Sequence, residues 1–469
     1  MPQTESGRGK DNKVLQKIWG WIKGVIGRMF PVKTIKQVVS VPLAISQEML
    51  NKIDLWSNMY RGKAPWVDSQ VSSLLIEQGV CREFANVCLN EMDTSVSNKQ
   101  IDEIYQSAIA DLNEHLQSGL ALGAFCIKPL GGGAVEYVTA DHFIPLSFDA
   151  KQRLTAVVFI QYKQVDEIFY TRLETHVWKK EDKTLFIQNQ AYRSADKTSL
   201  GGPVDLTVVD EWATLQEAIT LINVERPDFG YYRNPIKNEI DGSSCGVSIY
   251  DSAIDVIQKT DMQFGRLDWE FESGERAVHV DITAMQAAPV LQKDGKTKYV
   301  LPKLNRRLYR GINLTKGDVE ELFQEYSPEF REQNLINGLN AYLRRIEFST
   351  GLSYGDLSDV SDVDKTATEA KIAKKRKYNM VKAIQAKLKI CLEDLAYALA
   401  LHNGLSTVSY EFLCNFKDSI LVDEEEERQQ DRQDVAMGVM RLEEYRAKWY
   451  GETVEDARKN LPEPALIEE

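Results

Sequence analysis

The sequence predicts an α+β chain, mainly helical, organised around one long helix. Three observations carry this expectation. Apolar residues recur at Ala373, Met380, Ile384, Leu388, Cys391, Leu395 and Leu399, in steps of three, four or seven that build one helical stripe. Two further stretches repeat the pattern: Ile249, Ala253, Val256, Ile257, Phe264, Leu267 and Phe271 share a face of 248–272, and Leu335, Leu339, Tyr342, Leu343 and Ile346 share a face of 328–350. Between 124 and 193, and again within 275–327, the period changes to the two-residue alternation of strands.

The longest helix is expected to end near His402. Thr366 and Glu369 have the spacing of a capping box at its start, and Asn403-Gly404 supplies a stop. About 36 residues at ~1.5 Å each span ~54 Å, long enough to run through an assembly as a spine. The loop before it, Gly351 to Asp364, contains aspartates 356, 359, 362 and 364 and has no apolar face.

Composition bounds the function. A chain of 469 residues predicts about three domains. With 57 basic and 70 acidic residues the net charge is −13, which argues against a protein that coats nucleic acid. The six cysteines, at 81, 88, 126, 245, 391 and 414, show no Cys-x-x-Cys spacing and read as reduced, buried thiols. The five histidines are scattered, so no metal site and no cofactor are expected. No apolar run approaches the ~18 residues of a membrane span. Leu15, Ile18, Trp19, Ile22, Val25, Ile26 and Met29 make one face of a basic helix over 14–30, interrupted by Lys17, Lys23 and Arg28. It reads as a helix docking on another subunit or on the body, without stable membrane insertion.

In chain order, residues 1–13 are a polar arm. Ser46 can cap a helix whose Met49, Ile53, Trp56 and Tyr60 form a core face, ended by Gly62 and Pro65. Helices are expected over 70–92 and 100–120, then strands over 124–129, 134–139, 154–163, 167–178 and 184–193, with Gly131-Gly132-Gly133 as a turn. Residues 234–246 form a turn-rich linker into the 248–272 helix. A strand-rich module over 275–327 has turns at Asp294-Gly295 and Gly311, and Pro328 suits the first turn of the next helix. A strand at 408–416, the acidic run Asp423 to Glu427 opening a helix, and two short helices separated at Gly438 complete the chain.

Gly351-x-Ser353-x-Gly355 matches the nucleophile-elbow string, but an elbow needs a strand before it and a helix directly after. Here a helix precedes and an acidic loop follows, so no catalytic residue is assigned. Asp362-x-Asp364-x-Thr366 lacks the glycine and the closing glutamate of a calcium loop. Neither a P-loop lysine motif nor HExxH is present. Lys371, Lys374, Lys375, Arg376, Lys377, Lys382, Lys387 and Lys389 make the start of the long helix strongly basic. They can form a solvated face, pair with an acidic patch such as Asp423–Glu427 of a neighbouring subunit, or touch DNA phosphates.

A helix ending in Ser349-Thr350-Gly351, an acidic loop, and then Thr366-Ala-Thr-Glu369 opening a long helix resembles the portal proteins of tailed bacteriophages, the type found in phages and prophages of Gram-positive hosts. The sequence from Ser244 to Phe271 and from Ser327 to Ile384 carries most of this resemblance. It departs at Cys245, where relatives tend to have proline. The resemblance implies the portal fold, assembled as a ring with a central channel. Its parts would be an N-terminal arm (1–45), a wing (46–245), a first stem helix (246–273), a clip (274–327), a second stem helix (328–350), a channel loop (351–366), a spine helix of the wing (367–403) and a crown (404–469).

It further implies a non-enzymatic ring of twelve copies at one capsid vertex of the virion, assembled in the host cytoplasm. The ring is the channel for double-stranded DNA during packaging and ejection. Implied partners are the chain itself, DNA read without sequence specificity, the major capsid and scaffold proteins, the terminase large subunit and the head-to-tail adaptor. The channel loop would present Ser353, Tyr354, Asp356, Asp359, Asp362, Asp364 and Lys365. Lys371, Lys374, Lys375, Arg376 and Lys377 are candidate subunit-contact or DNA-facing residues. Another neck or baseplate structural protein, and a hydrolase of esters or nucleic acid using Ser353 or the acidic loop, are the competing classes.

Overall fold

The Ser46 side chain accepts a hydrogen bond from the Met49 N–H and so caps helix α1 (Gln47–Tyr60). The computed structural model describes residues 44–197, 199–274, 277–281, 288–291, 297–300, 309–312, 323–326, 329–359, 367–416 and 424–461. The helix expected over 14–30, Pro328, Thr366 of the capping box, the Asp362–Thr366 string and Asp423 lie outside the described residues. The architecture is mixed α and β, 44% helix against 23% strand, which agrees with an α+β class in which helix predominates.

On α1, Met49, Ile53 and Trp56 are buried as expected. Helix α2 (Ile76–Leu89) begins later than the sequence pattern suggests. The Asp68 carboxylate takes the Gln70 and Val71 N–H groups, and Asp261 takes the Leu74 N–H. Those side chains satisfy the donors that an earlier helical turn would have used. Strand β1 (Met92–Val96) follows. The single helix expected over 100–120 is two, α3 (Lys99–Ala108) and α4 (Leu112–Leu122). They pack on different partners, α3 against β1 and α4 against α2, and tertiary contact overrides a continuous helical pattern.

The five expected strands are all present: β2 (Ala124–Gly131), β3 (Ala134–Thr139), β5 (Leu154–Val165), β6 (Ile168–Lys179) and β7 (Thr184–Ser194), with β4 (Phe143–Phe148) between β3 and β5. Short strands β8 (Gly202–Val204), β9 (Ala218–Ile222) and β10 (Gly230–Arg233) were not expected. One sheet runs β4-β5-β6-β7-β8, with β9 also pairing β7, and a second runs β10-β2-β3. Between β2 and β3, Gly131, Gly132 and Gly133 all take positive φ, which makes the turn.

After a 3-10 turn, α5 (Ile254–Ser273) lies antiparallel to α6 (Glu332–Thr350). The Ser252 Oγ donates to the Ser349 carbonyl at one end, and Arg331 clasps Glu270 at the other. Between them come strands β11 (Ala277–Asp281), β12 (Ala288–Leu291), β13 (Thr297–Val300), β14 (Tyr309–Ile312) and β15 (Phe323–Tyr326). They form one sheet of order β14-β11-β15 and a β12-β13 pair. The expected apolar stripe of α5 holds only at its start. Further along, Thr260, Asp261, Gln263 and Glu270 are buried, while Trp269 and Phe271 are 66% and 47% exposed. The polar side chains turn inward because partners wait there: Trp66 Nε1 donates to Asp261, Gln263 donates to the Leu335 carbonyl, and Arg331 meets Glu270.

Helix α7 (Ala367–His402) has the expected 36 residues. Its second half is the hub of the core. Val381, Ile384, Leu388, Cys391, Leu392 and every residue from Leu395 to Ala400 are buried, against β10, β2, α2 and α3. The approach of β10 is so close that a Cβ on Gly230 would stand 2.6 Å from the Cys391 carbonyl oxygen. The helix stops at Gly404, φ +65, where the Leu405 N–H reaches the Ala400 carbonyl and the Gly404 N–H reaches Leu401, a Schellman ending. Strand β16 (Phe412–Phe416), shorter than the expected 408–416, pairs antiparallel with β1. Three helices follow: α8 (Glu424–Ala436), α9 (Leu442–Tyr450) and α10 (Val454–Lys459). The last is capped by Thr453. All six cysteines are buried thiols. Among the described residues no helix is long and apolar enough to cross a membrane.

Glu77, in the first turn of α2, is 1% exposed, and among the described residues neither of its oxygens finds a donor outside its own residue. Burial, aided by the Asp261 carboxylate, pushes its pKa up to about 7. A carboxyl raised in the folded state contributes most below its unfolded value, and that contribution is lost as pH climbs towards 7. Glu77→Met is expected to stabilise the protein by about 1–3 kcal/mol at pH 8 and by less at pH 5, read from urea unfolding at the two pH values.

Candidate functional site

The loop between α6 and α7 is built on one carboxylate. Glu347, in the last turn of α6, is fully buried. Its Oε1 accepts the N–H groups of Gly355 (3.0 Å), Leu357 (2.7 Å) and Ser358 (2.8 Å). The Ser358 hydroxyl donates to the same carboxylate. Gly351 turns the chain off the helix at φ +89, and Leu352 buries beside it. The N-terminal part of the loop therefore wraps around a buried anion, with charge-assisted hydrogen bonds replacing those of a regular element.

Helix α7 holds the same segment from the other side. The Arg376 guanidinium donates to the Leu352 carbonyl and lies over the rings of Phe348 and Tyr354, 5.0 Å from each centroid. Asp356 accepts the Ser353 N–H and pairs with the Lys377 ammonium at 3.0 Å. Lys377 is buried and also bonds Glu83 of α2 at 2.6 Å. Burial works to lower its pKa, but the Glu83 and Asp356 carboxylates prevail and hold it above the usual lysine value. At the outer end, the Asp359 N–H donates to Asn340 and its carbonyl accepts from Arg344.

Of the expected loop residues, Ser353, Tyr354, Asp356 and Asp359 are thus gathered on the α6–α7 junction. Asp362, Asp364, Lys365 and the side chain of Lys371 lie outside the described residues. The basic residues separate by role. Lys374 and Lys375 are exposed, with no ion pair among the described residues. Arg376 and Lys377 are engaged within the chain. The acids that meet Lys377 are Glu83 and Asp356, a partnership that neither a solvated face nor a neighbour's acidic patch anticipates. The Gly351-x-Ser353-x-Gly355 string follows a helix, as the sequence indicates.

A second cluster had gone unread. On β6, Arg172, Glu174 and His176 alternate onto one face, the residue-by-two spacing that could have revealed it. Glu174 meets Lys128 (2.6 Å), Arg172 (3.0 Å) and His176 Nε2 (2.9 Å). His176 Nδ1 reaches Asp228 at 2.9 Å, and Asp228 also meets His402, the last residue of α7, at 3.0 Å. With a carboxylate on each ring nitrogen, His176 is an imidazolium. Burial opposes its charge, yet Asp228 and Glu174 outweigh it and carry the pKa up to about 9. Burial likewise opposes ionisation of Glu174 and Asp228, and their cationic partners hold both well below the carboxylate range. The charges of this cluster answer one another inside the body, so its chemistry is cohesion.

No family model matches the chain, and no curated protein matches it.

Glu347→Ala is expected to cost about 2–4 kcal/mol, because three N–H groups, that of Ser358 buried and those of Gly355 and Leu357 partly so, lose a charged acceptor. Hydrogen exchange should quicken at Gly355, Leu357 and Ser358, with far-ultraviolet circular dichroism unchanged. The raised His176 pKa makes its contribution full below about 6.5 and lost as pH rises through about 9. His176→Gln should lower stability by about 3–5 kcal/mol at pH 6.5 and flatten the pH dependence between 6.5 and 9, measured by denaturant unfolding.

Proposed function

We propose that this chain is a portal-type subunit, one of a ring that forms the DNA channel at a phage capsid vertex. One observation carries most of the support: the α5–α6 helix pair. It is buried where it joins the body, at Ile257, Ile346, Glu347 and Thr350. Towards its other end it exposes Trp269, Phe271 and Phe330, flanking the β11–β15 strands. Aromatic surface of this kind fits contact with another copy better than contact with water.

In this reading α5 and α6 are stem helices, and the strand module between them docks the packaging motor and the head-to-tail adaptor. The body meets capsid and scaffold. The loop 351–366 is the part that meets DNA in this reading, while Glu347, Arg376 and Lys377 clamp its base. Among the described side chains of the basic run, Lys374 and Lys375 are the positions left for phosphates. A net charge of −13 per copy suits a conduit, since a protein that grips phosphates strongly would stall DNA. The motor supplies the energy, and this chain supplies a symmetric channel and a docking surface.

Native mass spectrometry with negative-stain imaging tests the assembly. Twelve copies of 53.3 kDa give a species of about 640 kDa with a central hole. A compact dimer at every salt concentration removes the reading. Deleting residues 360–364, which spares the Glu347 clamp, is expected to leave rings intact and to lower DNA packaging in a reconstituted assay severalfold. Normal packaging takes the loop out of the mechanism.

A further inference from the structure

A cavity of ≈160 Å³ opens where α7, β10 and the turn before β5 meet. Its charged lining comes from Lys151 and Arg153 of the turn, Arg233 at the end of β10, and Lys387 and Asp394, seven residues apart on α7. Four cations thus face one carboxylate. That carboxylate is already engaged: Asp394 meets Arg153 at 3.6 Å and Arg226 at 3.3 Å.

Lys151, Arg233 and Lys387 have no ion pair among the described residues. Arg233 donates Nη1 to the Ser244 carbonyl at 2.7 Å, while its Nε is buried with no hydrogen-bond partner among those residues. Lys387 is half-buried and held below the ordinary lysine range, by burial first and then by the Arg233 charge. Bringing two cations together out of water is unfavourable unless a negative group compensates them. With Nη1 engaged and Nε closed to solvent, Nη2 is the guanidinium nitrogen left to donate to an oxyanion. The volume corresponds to roughly five waters, enough for one small oxyanion and too little for a folded segment.

We propose that this cavity binds a free tetrahedral oxyanion of the phosphate class, held between Arg233 and Lys387 with Lys151 at its exposed lip. The bound ion would bridge α7, β10 and the turn before β5, and so brace the hub of the body. This site is independent of the channel reading.

The test is thermal unfolding of the full chain in sodium phosphate and in sodium chloride at matched ionic strength. Inorganic phosphate should give a saturable rise of roughly 2 °C over chloride. General exclusion of phosphate from protein surfaces also stabilises, but it grows without saturating and is blind to single cations. Lys387→Met decides between them. It should raise the unfolding temperature in chloride, because a like-charge contact is removed, and should abolish the saturable phosphate rise. Broadening of the phosphate ³¹P resonance, lost in the same variant, is the second readout. An unsaturable rise, or one that survives in Lys387→Met, overturns the proposal. So does protection by a short DNA duplex with none from inorganic phosphate, which would assign the cations to a polymer backbone.

Discussion

Burial of the second half of α7 is the constraint on which the rest of the body depends. From Leu395 to Ala400 the helix is buried on every side, which an amphipathic surface helix never is. Alanines at 396, 398 and 400 let neighbours come close, and Gly230 lets a strand backbone lie almost on the helix backbone. The β10-β2-β3 sheet, helices α2 and α3 and the β1-β16 pair all take their positions from this one rod. Its first half has a different character, with exposed lysines and a grip on the loop. One continuous helix therefore couples a dry core to the loop junction without a hinge.

Buried charge is the second organising theme. Glu347, Glu174, Asp228 and Lys377 each sit inside the protein with several partners, those of Glu347 from one loop and those of the other three from different elements. Leaving such a group without its partners is strongly destabilising, so each cluster fixes one relative arrangement of the elements it joins. Lys377 ties α7 to α2 and to the loop at once, and His402 ties the end of the same helix to β6 through Asp228. These clusters specify geometry more than they add stability.

The long elements were legible in the sequence because their signals are redundant. Helix α7 announced itself by its stripe and its glycine stop, and the five strands of the main alternating block by period and turn residues. What escaped was fixed by distant partners. The late start of α2 depends on Asp261, nearly two hundred residues away, and the break between α3 and α4 on two different packing surfaces. The buried side of α5 could not be read as apolar because its polar residues are matched by Trp66, Leu335 and Arg331. The acidic loop was recognised as a loop, yet its anchor, Glu347, lies on the preceding helix and looks like any surface glutamate until the three N–H groups it accepts are seen.

The pairing of β1 with β16 joins residue 92 to residue 416, and the helix that fills the core arrives only shortly before. During synthesis the strands up to Arg233 therefore leave the ribosome roughly 170 residues ahead of the helix that covers them. At ~5–20 residues per second, that apolar surface stays open for about 10–30 s. Non-local closure of this kind is slow, and exposed strand edges invite association with other chains in the interval. The body of this protein is a structure that can be completed only from its C-terminal side. A nascent chain truncated before residue 367 carries nearly all of the described strands and none of the rod that unites them.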